Sequence, residues 1–349
     1  MTKTIFEVNG RQIGKGLEPF IIAELSANHG GSIERAKASI LAAKEAGVSA
    51  VKIQSYTPDT MTIDSNKPDF QIKEGLWKGN SLYNLYREAF TPFEWHRELF
   101  DYANDIGITI FSTPFDESAA DLLETLNVAA YKIASFELTD LPLIEYVAKK
   151  QKPMFMSTGM ATIEEIREAV MTVKQCGNDQ LLLFHCISSY PAATKESNLS
   201  NLLLLEEEFG VLVGLSDHTI SNVASISAVA MNAVAIEKHF KLDSDDCGPD
   251  SSFSLDPKQL SALVEDCKEA KLALGSKNFS RSNSEENNKI FRRSLYFVKD
   301  LRQGDIVTVS DIRRIRPGFG LAPKFYKQII GKKLIKDVEH GDSVQWDCF

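Results

Sequence analysis

The feature that most constrains the fold is a set of eight short apolar runs, rich in β-branched residues and mostly separated by segments with helical periodicity. Strands that alternate with helices in this way form βα units, whose strands lie parallel in one sheet. The runs are residues 20–23, 50–53, 109–111, 130–133, 154–156, 181–184, 211–215 and 234–236. Eight such units predict an α/β fold closed into a (β/α)8 barrel.

The ends of the intervening helices can also be recognised. Residues 33–46 stop at Gly47, while residues 162–176 begin with the capping-box pattern Thr-x-x-Glu and stop at Gly177. The competing architecture is an open, doubly wound sheet, which predicts a GxGxxG turn after the first strand. Residues 20–23 are not followed by such a turn, so the closed barrel is favoured.

The chain has 349 residues, whereas a barrel of this type typically needs about 250. A polar stretch follows the last helical pattern. We therefore predict a catalytic barrel over residues 1–275, a linker over 276–289 and a small β-rich domain over 290–349. Within the last domain, Lys-Asp-x-x-x-Gly-Asp-x-Val occurs twice, 37 residues apart. The repeat indicates a pseudo-symmetric β fold, unless two common Gly-Asp turns match by chance.

Composition narrows the choice of partners. The net charge is -9 and the pI is about 5.3, which disfavours binding to nucleic acid or to anionic membranes, although a local basic pocket could still hold an anion. The five cysteines are scattered without a CxxC pair, which argues against a disulfide framework and a zinc cluster. Without an evident secretory signal or an apolar run of membrane-spanning length, we expect a cytoplasmic protein.

Polar residues follow nearly every predicted strand. In a barrel, the carboxyl ends of the strands meet at one mouth, where the active sites of such enzymes lie. The residues in question are Glu24, Lys52, Gln54, Ser112, Thr113, Lys132, Ser135, Glu137, Ser157, Thr158, His185, Ser188, Ser216, Asp217, His218, Glu237, Lys238 and His239. We therefore expect a polar, catalytic cavity at this mouth.

The residue types suggest two kinds of ligand. Lys52 and Lys132, together with the hydroxyls of Ser135, Ser157, Ser188 and Ser216, suit a small ligand that carries a phosphate and a carboxylate. His218 and His239 end successive strands and could share one divalent metal that acts as a Lewis acid. Either lysine could instead be solvated or salt-bridged, and a lone histidine is usually structural.

Three carboxylates near strand ends or in a loop are candidates for acid–base chemistry or for hydroxyl binding. They are Glu24, Glu137 and Asp250, the last within Cys-Gly-Pro-Asp-Ser-Ser. Each could instead pair with a neighbouring lysine. The long connection 56–91, which is rich in aromatic residues, lies where barrel enzymes place substrate loops.

The successive motifs resemble those of the sialic acid synthase family. The strings that carry the resemblance are IAELSANHGG, AVKIQSYTPDT, STPFD, AYKIASFE, MSTGMAT, LLFHCISSYPA, GLSDHT, IEKHF and GPDSSFSL. The segment RRSLYFVKDLRQGDIVT and the later RPGFGLAP resemble the antifreeze-like SAF domain of those enzymes. LWKGNSLYNLYREAFTP and GPDSSFSL are more similar to the pseudaminic acid synthases than to the N-acetylneuraminate synthases, and Ser188 departs from the asparagine usual in the latter.

This resemblance implies a metal-dependent condensation of phosphoenolpyruvate with 2,4-diacetamido-2,4,6-trideoxy-L-altrose, with cleavage of the C–O bond of phosphoenolpyruvate. Phosphoenolpyruvate would be held by Lys52, Lys132, Ser135, Ser157, Ser188 and Ser216, and Thr113 would also bind substrate. The resemblance further implies that His218 and His239 bind Mn2+, Mg2+ or Co2+ and that Glu24 moves a proton. Glu137, Tyr190 and Asp250 would contact substrate.

The family resemblance also implies that Arg316 reaches from the SAF domain into the barrel of a second copy, in a domain-swapped homodimer. A monomer whose SAF domain folds onto its own barrel is the alternative. An N-acetylneuraminate or legionaminate synthase would share the anion site and differ in the sugar pocket. Two other possibilities are a Schiff-base aldolase that uses Lys52 or Lys132 as nucleophile and a glycan-binding protein without enzymatic activity.

Overall fold

The computed structural model describes residues 5–243, 248–276 and 278–349. The chain divides into two compact units, residues 1–275 and 276–349. Across these described ranges, every helix is too short or too polar to cross a lipid bilayer.

The strands of the first unit are β1 (Ile5–Val8), β2 (Arg11–Gly14), β3 (Phe20–Glu24), β4 (Ala50–Ser55), β5 (Thr109–Pro114), β6 (Tyr131–Ile133), β7 (Met154–Ser157), β8 (Leu181–Cys186), β9 (Leu212–Asp217) and β10 (Ala235–His239). Its helices are α1 (Ile33–Glu45), α2 (Pro58–Met61), α3 (Leu82–Ala89), α4 (Phe93–Asp105), α5 (Glu117–Thr125), α6 (Leu141–Ala148), α7 (Ile163–Gln175), α8 (Asn201–Phe209), α9 (Val223–Ala230) and α10 (Pro257–Leu274). The second unit contains α11 (Asn283–Glu286), β11 (Ser294–Phe297), β12 (Ile312–Ile315) and α12 (Tyr326–Ile329).

Strands β3 to β10 form a closed parallel barrel in the order β10-β3-β4-β5-β6-β7-β8-β9. The predicted (β/α)8 barrel is confirmed, and each of the eight apolar runs contributes one of its strands. The runs were legible because these strands are buried on both faces, so nearly every residue in them is apolar.

The predicted helix ends follow from local hydrogen bonds. Helix α7 begins after Thr162, whose hydroxyl accepts from the Glu165 amide while the Glu165 carboxylate accepts from the Thr162 amide. This reciprocal capping box satisfies two amides that the first helical turn leaves unpaired. Gly47 and Gly177 follow α1 and α7 with positive φ angles of 88° and 75°, the left-handed conformation that glycine adopts without strain.

Phenylalanine rings fill the barrel interior below the carboxyl ends of the strands. The ring of Phe155 lies 5.4 Å from that of Phe111 and 5.9 Å from that of Phe184, and the β1–β2 hairpin adds Phe6 at 6.1 Å. Gly214 makes room for this packing, since a Cβ there would lie 2.7 Å from the Phe184 ring. The polar cavity can therefore form only at the carboxyl ends of the strands.

The second unit is pseudo-symmetric, as its repeated motif predicts. Leu301 and Val338, which are equivalent in the two repeats, exchange both backbone hydrogen bonds, at 2.9 and 3.0 Å. The Asp300 carboxylate accepts from the His340 amide, and the equivalent Asp337 carboxylate accepts from the Gln303 amide, each at 2.7 Å. Each motif thus caps the turn of the other, so the match is not a chance occurrence of Gly-Asp turns.

Candidate active site

A cavity of about 400 Å³ lies at the carboxyl ends of the barrel strands. Residues that end or follow all eight barrel strands line it, together with residues from the connection between β4 and α4. The predicted site residues among them are Glu24, Lys52, Lys132, Ser135, Glu137, Ser157, Tyr190, Ser216, His218, His239 and Asp250. Side chains that are up to 226 positions apart in the chain therefore meet around one space.

Strand register decides which polar residues face this cavity. β9 and β10 pair Ser216 with Glu237 and Asp217 with Lys238. Since successive side chains of a strand point to opposite faces, Ser216 and Glu237 point into the cavity with His218 and His239. Asp217 and Lys238 point the other way, so the expectation that they share the mouth was wrong for these two. It was also wrong for Ser112, Thr158 and His185, which do not line the cavity.

Asp217 and Lys238 instead form a buried ion pair behind the cavity. The Lys238 Nζ lies 2.8 Å from the Asp217 Oδ2 and also donates to the backbone oxygens of Thr219 and Ser221. Asp217 accepts in addition from the Ser225 hydroxyl at 2.6 Å. This ion pair links the ends of two adjacent strands. Since each of its members directly precedes one of the cavity histidines, it also helps to hold those histidines in place.

Two buried lysines and two buried carboxylates form a network inside the cavity. The Lys52 Nζ lies 2.8 Å from the Glu24 Oε2, and the Lys132 Nζ lies 3.2 Å from the Glu237 Oε1. Lys52 also approaches the Glu237 Oε1, at 3.7 Å. Together with His218 and His239, these four residues are called the charged half of the cavity.

The protonation of this network follows from burial and from charge. Burial raises the pKa of Glu24 above its ordinary value, although Lys52 opposes the shift. Burial acts in the same sense on Glu237, but Lys132 and Lys52 outweigh it and hold its pKa below the usual range. Burial also lowers the pKa of Lys132. Glu237 is therefore the carboxyl group that stays ionised between the two lysines, and Glu24 is the one more easily protonated.

Several buried polar atoms in the cavity lack a hydrogen-bond partner. Among the described residues that line it, these are Ser157 Oγ, Glu137 Oε2, Glu237 Oε2 and His239 Nδ1, and also Glu24 Oε2 apart from its ion pair with Lys52. Buried polar atoms in folded proteins are nearly always paired, so unpaired ones that converge on a cavity indicate a bound ligand. Such groups gain their partners when a polar substrate enters.

The two histidines of the cavity, His218 and His239, lie side by side. Their ring centroids are 5.3 Å apart. The His218 Nδ1 donates to the Ile187 carbonyl at 2.9 Å, which leaves its Nε2 free to bind a ligand. Burial, followed by the positive charge near His218, lowers the pKa of His239 well below its ordinary value. His239 is therefore neutral and has an unpaired nitrogen, the form in which an imidazole binds a metal ion. Burial also acts to lower the pKa of His218, but Cys186 outweighs it, so this pKa lies above its ordinary value.

The donor set fits a divalent metal that takes further ligands from substrate or water. Across residues 5–243, 248–276 and 278–349, no cluster of three or more His, Cys, Asp or Glu side chains is arranged to hold a metal ion. A pair of histidines leaves several coordination positions open, as a catalytic metal requires. The orphaned Nδ1 of His239 is the observation that supports this fit.

Another part of the cavity lining is mostly apolar. The connection between β4 and β5 begins with the cavity residue Tyr56 and adds seven further lining residues, which are called the apolar wall: Met61, Ile72, Trp77, Leu82, Leu85, Tyr86 and Ala89. Glu137 also lines the cavity, and burial raises its pKa to about 7. Burial raises the pKa of the Tyr86 hydroxyl, and the negative charge of the nearby Glu137 raises it further. Glu137 therefore lies where the charged half and the apolar wall meet.

Three predicted site residues do not line the cavity. Thr113 lies behind it and accepts from the Lys52 Nζ at 3.2 Å. Ser188 lies beside the cavity residue Ser135, since a Cβ on Gly159 would be within 2.7 Å of both hydroxyl oxygens. Arg316 belongs to the unit 276–349, where its side chain is exposed.

Sequence patterns did not assign several residues that the structure places in the cavity. Glu237 was recognised as a strand-end residue but not as the partner of both lysines. Cys186 was not considered as a cavity residue; burial raises its pKa, but the neighbouring His218 lowers it to about 7. The face of α3 in the apolar wall could have been found from the spacing of Leu82, Leu85 and Ala89.

Comparisons with known proteins agree with this architecture. The NeuB family matches residues 39–279, and the SAF domain matches residues 292–349. The pseudaminic acid synthase of Campylobacter jejuni subsp. jejuni serotype O:23/36 (strain 81-176) is 46% identical over 330 residues, which cover 95% of this chain and 96% of the relative. That of Helicobacter pylori (strain ATCC 700392 / 26695) is 45% identical over 320 residues, with 91% and 94% covered.

A solved structure shares the fold of the chain. The N-acetylneuraminic acid (sialic acid) synthetase from Leptospira borgpetersenii serovar Hardjo-bovis, in complex with citrate, is 30% identical. It superposes with a TM-score of 0.74 over 82% of this chain and 95% of that structure.

Proposed function

The chain belongs to the NeuB family, and from this premise we propose that it acts as a pseudaminic acid synthase. The reaction condenses phosphoenolpyruvate with 2,4-diacetamido-2,4,6-trideoxy-L-altrose and water to give pseudaminic acid and phosphate. Identities of 45–46% to pseudaminic acid synthases, over more than nine-tenths of the chain, support this acceptor. The alternatives are an N-acetylneuraminate synthase and a legionaminate synthase; the N,N'-diacetyllegionaminic acid synthase of Legionella pneumophila is 36% identical.

The single observation that carries the chemistry is the pair of buried lysines that share Glu237 in the cavity. A substrate with a phosphate and a carboxylate can take over the two cations, since it carries more charge than one glutamate. Ser135, Ser157 and Ser216 line the same space and can donate hydroxyl hydrogens to its oxygens. Thr113 and Ser188 lie one step further out and would orient Lys52 and Ser135.

The protonation state of Lys52 also tests the Schiff-base alternative. Burial alone lowers its pKa, but Glu237 and Glu24 outweigh burial, so the pKa lies above its ordinary value. A nucleophilic lysine must be neutral, and an ion-paired ammonium is not. This favours the use of Lys52 for anion binding.

His218 and His239 would hold Mn2+, Mg2+ or Co2+, which when bound supplies a Lewis acid for the aldehyde oxygen of the sugar. The lysines and serines position phosphoenolpyruvate so that its C3 can attack the aldehyde carbon. Water then adds at C2, and the C–O bond to the phosphate breaks. The cavity needs one group that takes a proton from this water and returns one to the new hydroxyl.

We assign this proton transfer to Glu24. It lies between Lys52 and Gln54, whose Nε2 donates to its Oε1 at 3.3 Å, and burial raises its pKa towards the operating range of an acid–base group. Glu137, Tyr190 and Asp250 line the cavity and would contact the sugar. The Asp250 carboxylate accepts from Ser26 at 2.5 Å, which holds it in place.

The assembly is also proposed to be a domain-swapped homodimer in the cytoplasm. Arg316 is exposed on the unit 276–349, so it is free to reach the cavity of a second copy. The test mixes Arg316→Ala protein with His239→Ala protein under conditions of subunit exchange. Recovery of activity supports a site shared between copies, and two inactive proteins that stay inactive as exchanged heterodimers contradict it.

The reaction is tested by phosphate release from phosphoenolpyruvate with Mn2+, in the presence and absence of EDTA. Three acceptors are compared: the diacetamido-trideoxy-altrose, N-acetylmannosamine and the N,N'-diacetyllegionaminate precursor. EDTA-sensitive turnover on the altrose alone is the expected result. Turnover on another sugar would contradict the acceptor and keep the chemistry, while no turnover on any of them would contradict both.

A further inference from the structure

We infer that the apolar wall selects the acceptor by its methyl groups: it receives the C6 methyl and the acetamido methyls and disfavours a hydroxyl at C6. This inference rests on the proposed function, because it concerns the far end of the same sugar. The wall contributes seven residues to the cavity, all from one connection of the barrel, residues 56–108.

Helix α3 supplies the main part of the wall. Its residues 82, 85, 86 and 89 line the cavity, and this spacing places them on one face of an α-helix. Ser81 caps the helix by accepting from the Asn84 amide at 3.2 Å, which fixes where this face begins. Leu82, Leu85 and Ala89 have no side-chain hydrogen-bonding atoms, so a hydroxyl group facing them finds no partner among these three.

Trp77 connects the wall to the charged half. Its indole N–H donates to the Pro249 carbonyl at 3.3 Å, and its ring lies 6.0 Å from that of Tyr190. The Tyr190 ring in turn lies 4.4 Å from His218. The position of the wall relative to the two histidines is therefore set by direct contacts.

The orientation of the sugar follows from the chemistry of its two ends. The aldehyde carbon must lie near the lysines and histidines, because it reacts with phosphoenolpyruvate there. We place the opposite end of the sugar against the apolar wall, since the wall comes from a connection and the lysines and histidines come from strand ends. Methyl groups gain free energy there by burial, whereas a buried hydroxyl without a partner loses its hydrogen bonds to water.

The test compares two acceptors that differ at one position: 2,4-diacetamido-2,4,6-trideoxy-L-altrose and the same sugar with a hydroxyl on C6. The quantity measured is the ratio of their kcat/KM values, deoxy over hydroxy. Leu82→Asn places an amide of similar volume in the wall, and we expect it to lower this ratio by at least about 10-fold, the scale of discrimination by one small group in a pocket. The KM for phosphoenolpyruvate should not change.

Leu76→Asn is the matched control, because Leu76 lies in the same connection and is 50% exposed outside the cavity. It should leave the ratio unchanged. Ala89→Ser makes a smaller change at the end of α3 and decides the question if Leu82→Asn does not fold; it should also lower the ratio. An unchanged ratio in a folded wall variant would overturn the inference. A wild-type enzyme without activity on the altrose would instead overturn the proposed function.

Discussion

The charged half of the cavity and the apolar wall are built from different parts of the barrel. The charged half lies on the ends of strands, where hydrogen bonds to the neighbouring strands fix the position of each residue. The apolar wall lies on a connection of more than fifty residues, of which α3 supplies the main face. The difference suggests a division of labour: the rigid part performs the reaction shared by the family, and the connection distinguishes one acceptor from another.

The comparison predicts that changes in the charged half affect turnover itself, while changes in the wall affect the choice of sugar. The largest effect is expected from His239→Ala, which should lower kcat by roughly 10³-fold or more, because a Lewis acid contributes several kcal/mol to the barrier. The urea midpoint should change little, since the His239 Nδ1 has no hydrogen bond to lose. Phosphate release and urea unfolding measure the two quantities.

His185→Ala is the control for His239→Ala. His185 is also buried, but its Nε2 donates to the Ser197 carbonyl at 2.7 Å and the residue does not line the cavity. It should lose stability and keep EDTA-sensitive turnover. A His239→Ala enzyme that is active in EDTA would remove the metal from the mechanism.

The next largest effect is a difference in unfolding free energy between variants of two buried lysines, Lys238 and Lys132, which face opposite sides of the barrel wall. Lys238→Met leaves Asp217 buried without its cation and should cost about 3–5 kcal/mol of unfolding free energy. Lys132→Met should cost less, because Glu237 keeps Lys52 within 3.7 Å, but it should raise the KM for phosphoenolpyruvate at least about 10-fold.

Urea unfolding and the KM for phosphoenolpyruvate test this pair of lysines. Lys149→Met is the surface control, since Lys149 and its partner Glu145 are both more than half exposed and such pairs contribute little to the free energy of unfolding. Equal losses of stability in the Lys132 and Lys238 variants would contradict the division between a cavity lysine and a structural one.

The smallest effect is expected at Glu137, where the two halves meet. Burial raises its pKa from 4.5 to about 7 in the folded protein. Its contribution to stability is therefore fully present below pH 4.5 and is lost as the pH rises through about 7. Glu137→Gln stays neutral, so its stability relative to the wild type should increase between about pH 5 and about pH 8. Urea unfolding across this range measures the trend, and a difference that does not vary with pH would contradict it.

The barrel and the polar strand ends were predictable from sequence because their signals are local. Buried parallel strands are apolar throughout, and the capping box of α7 lies within four consecutive residues. The repeated motif of the second unit was equally visible, although not the exchange of hydrogen bonds between Leu301 and Val338. Such signals depend on neighbours in the chain.

Partners and directions depended on the tertiary structure. From the sequence, Glu237 and Lys238 were both predicted to lie at the mouth of the barrel. The strand register points Glu237 into the cavity and Lys238 away from it. Lys132 and Glu237 lie 105 positions apart, and the sequence carries no local mark of their pairing. The alternation of a strand is set by its own residues, but closure of the barrel decides which face becomes the cavity and which side chains meet there.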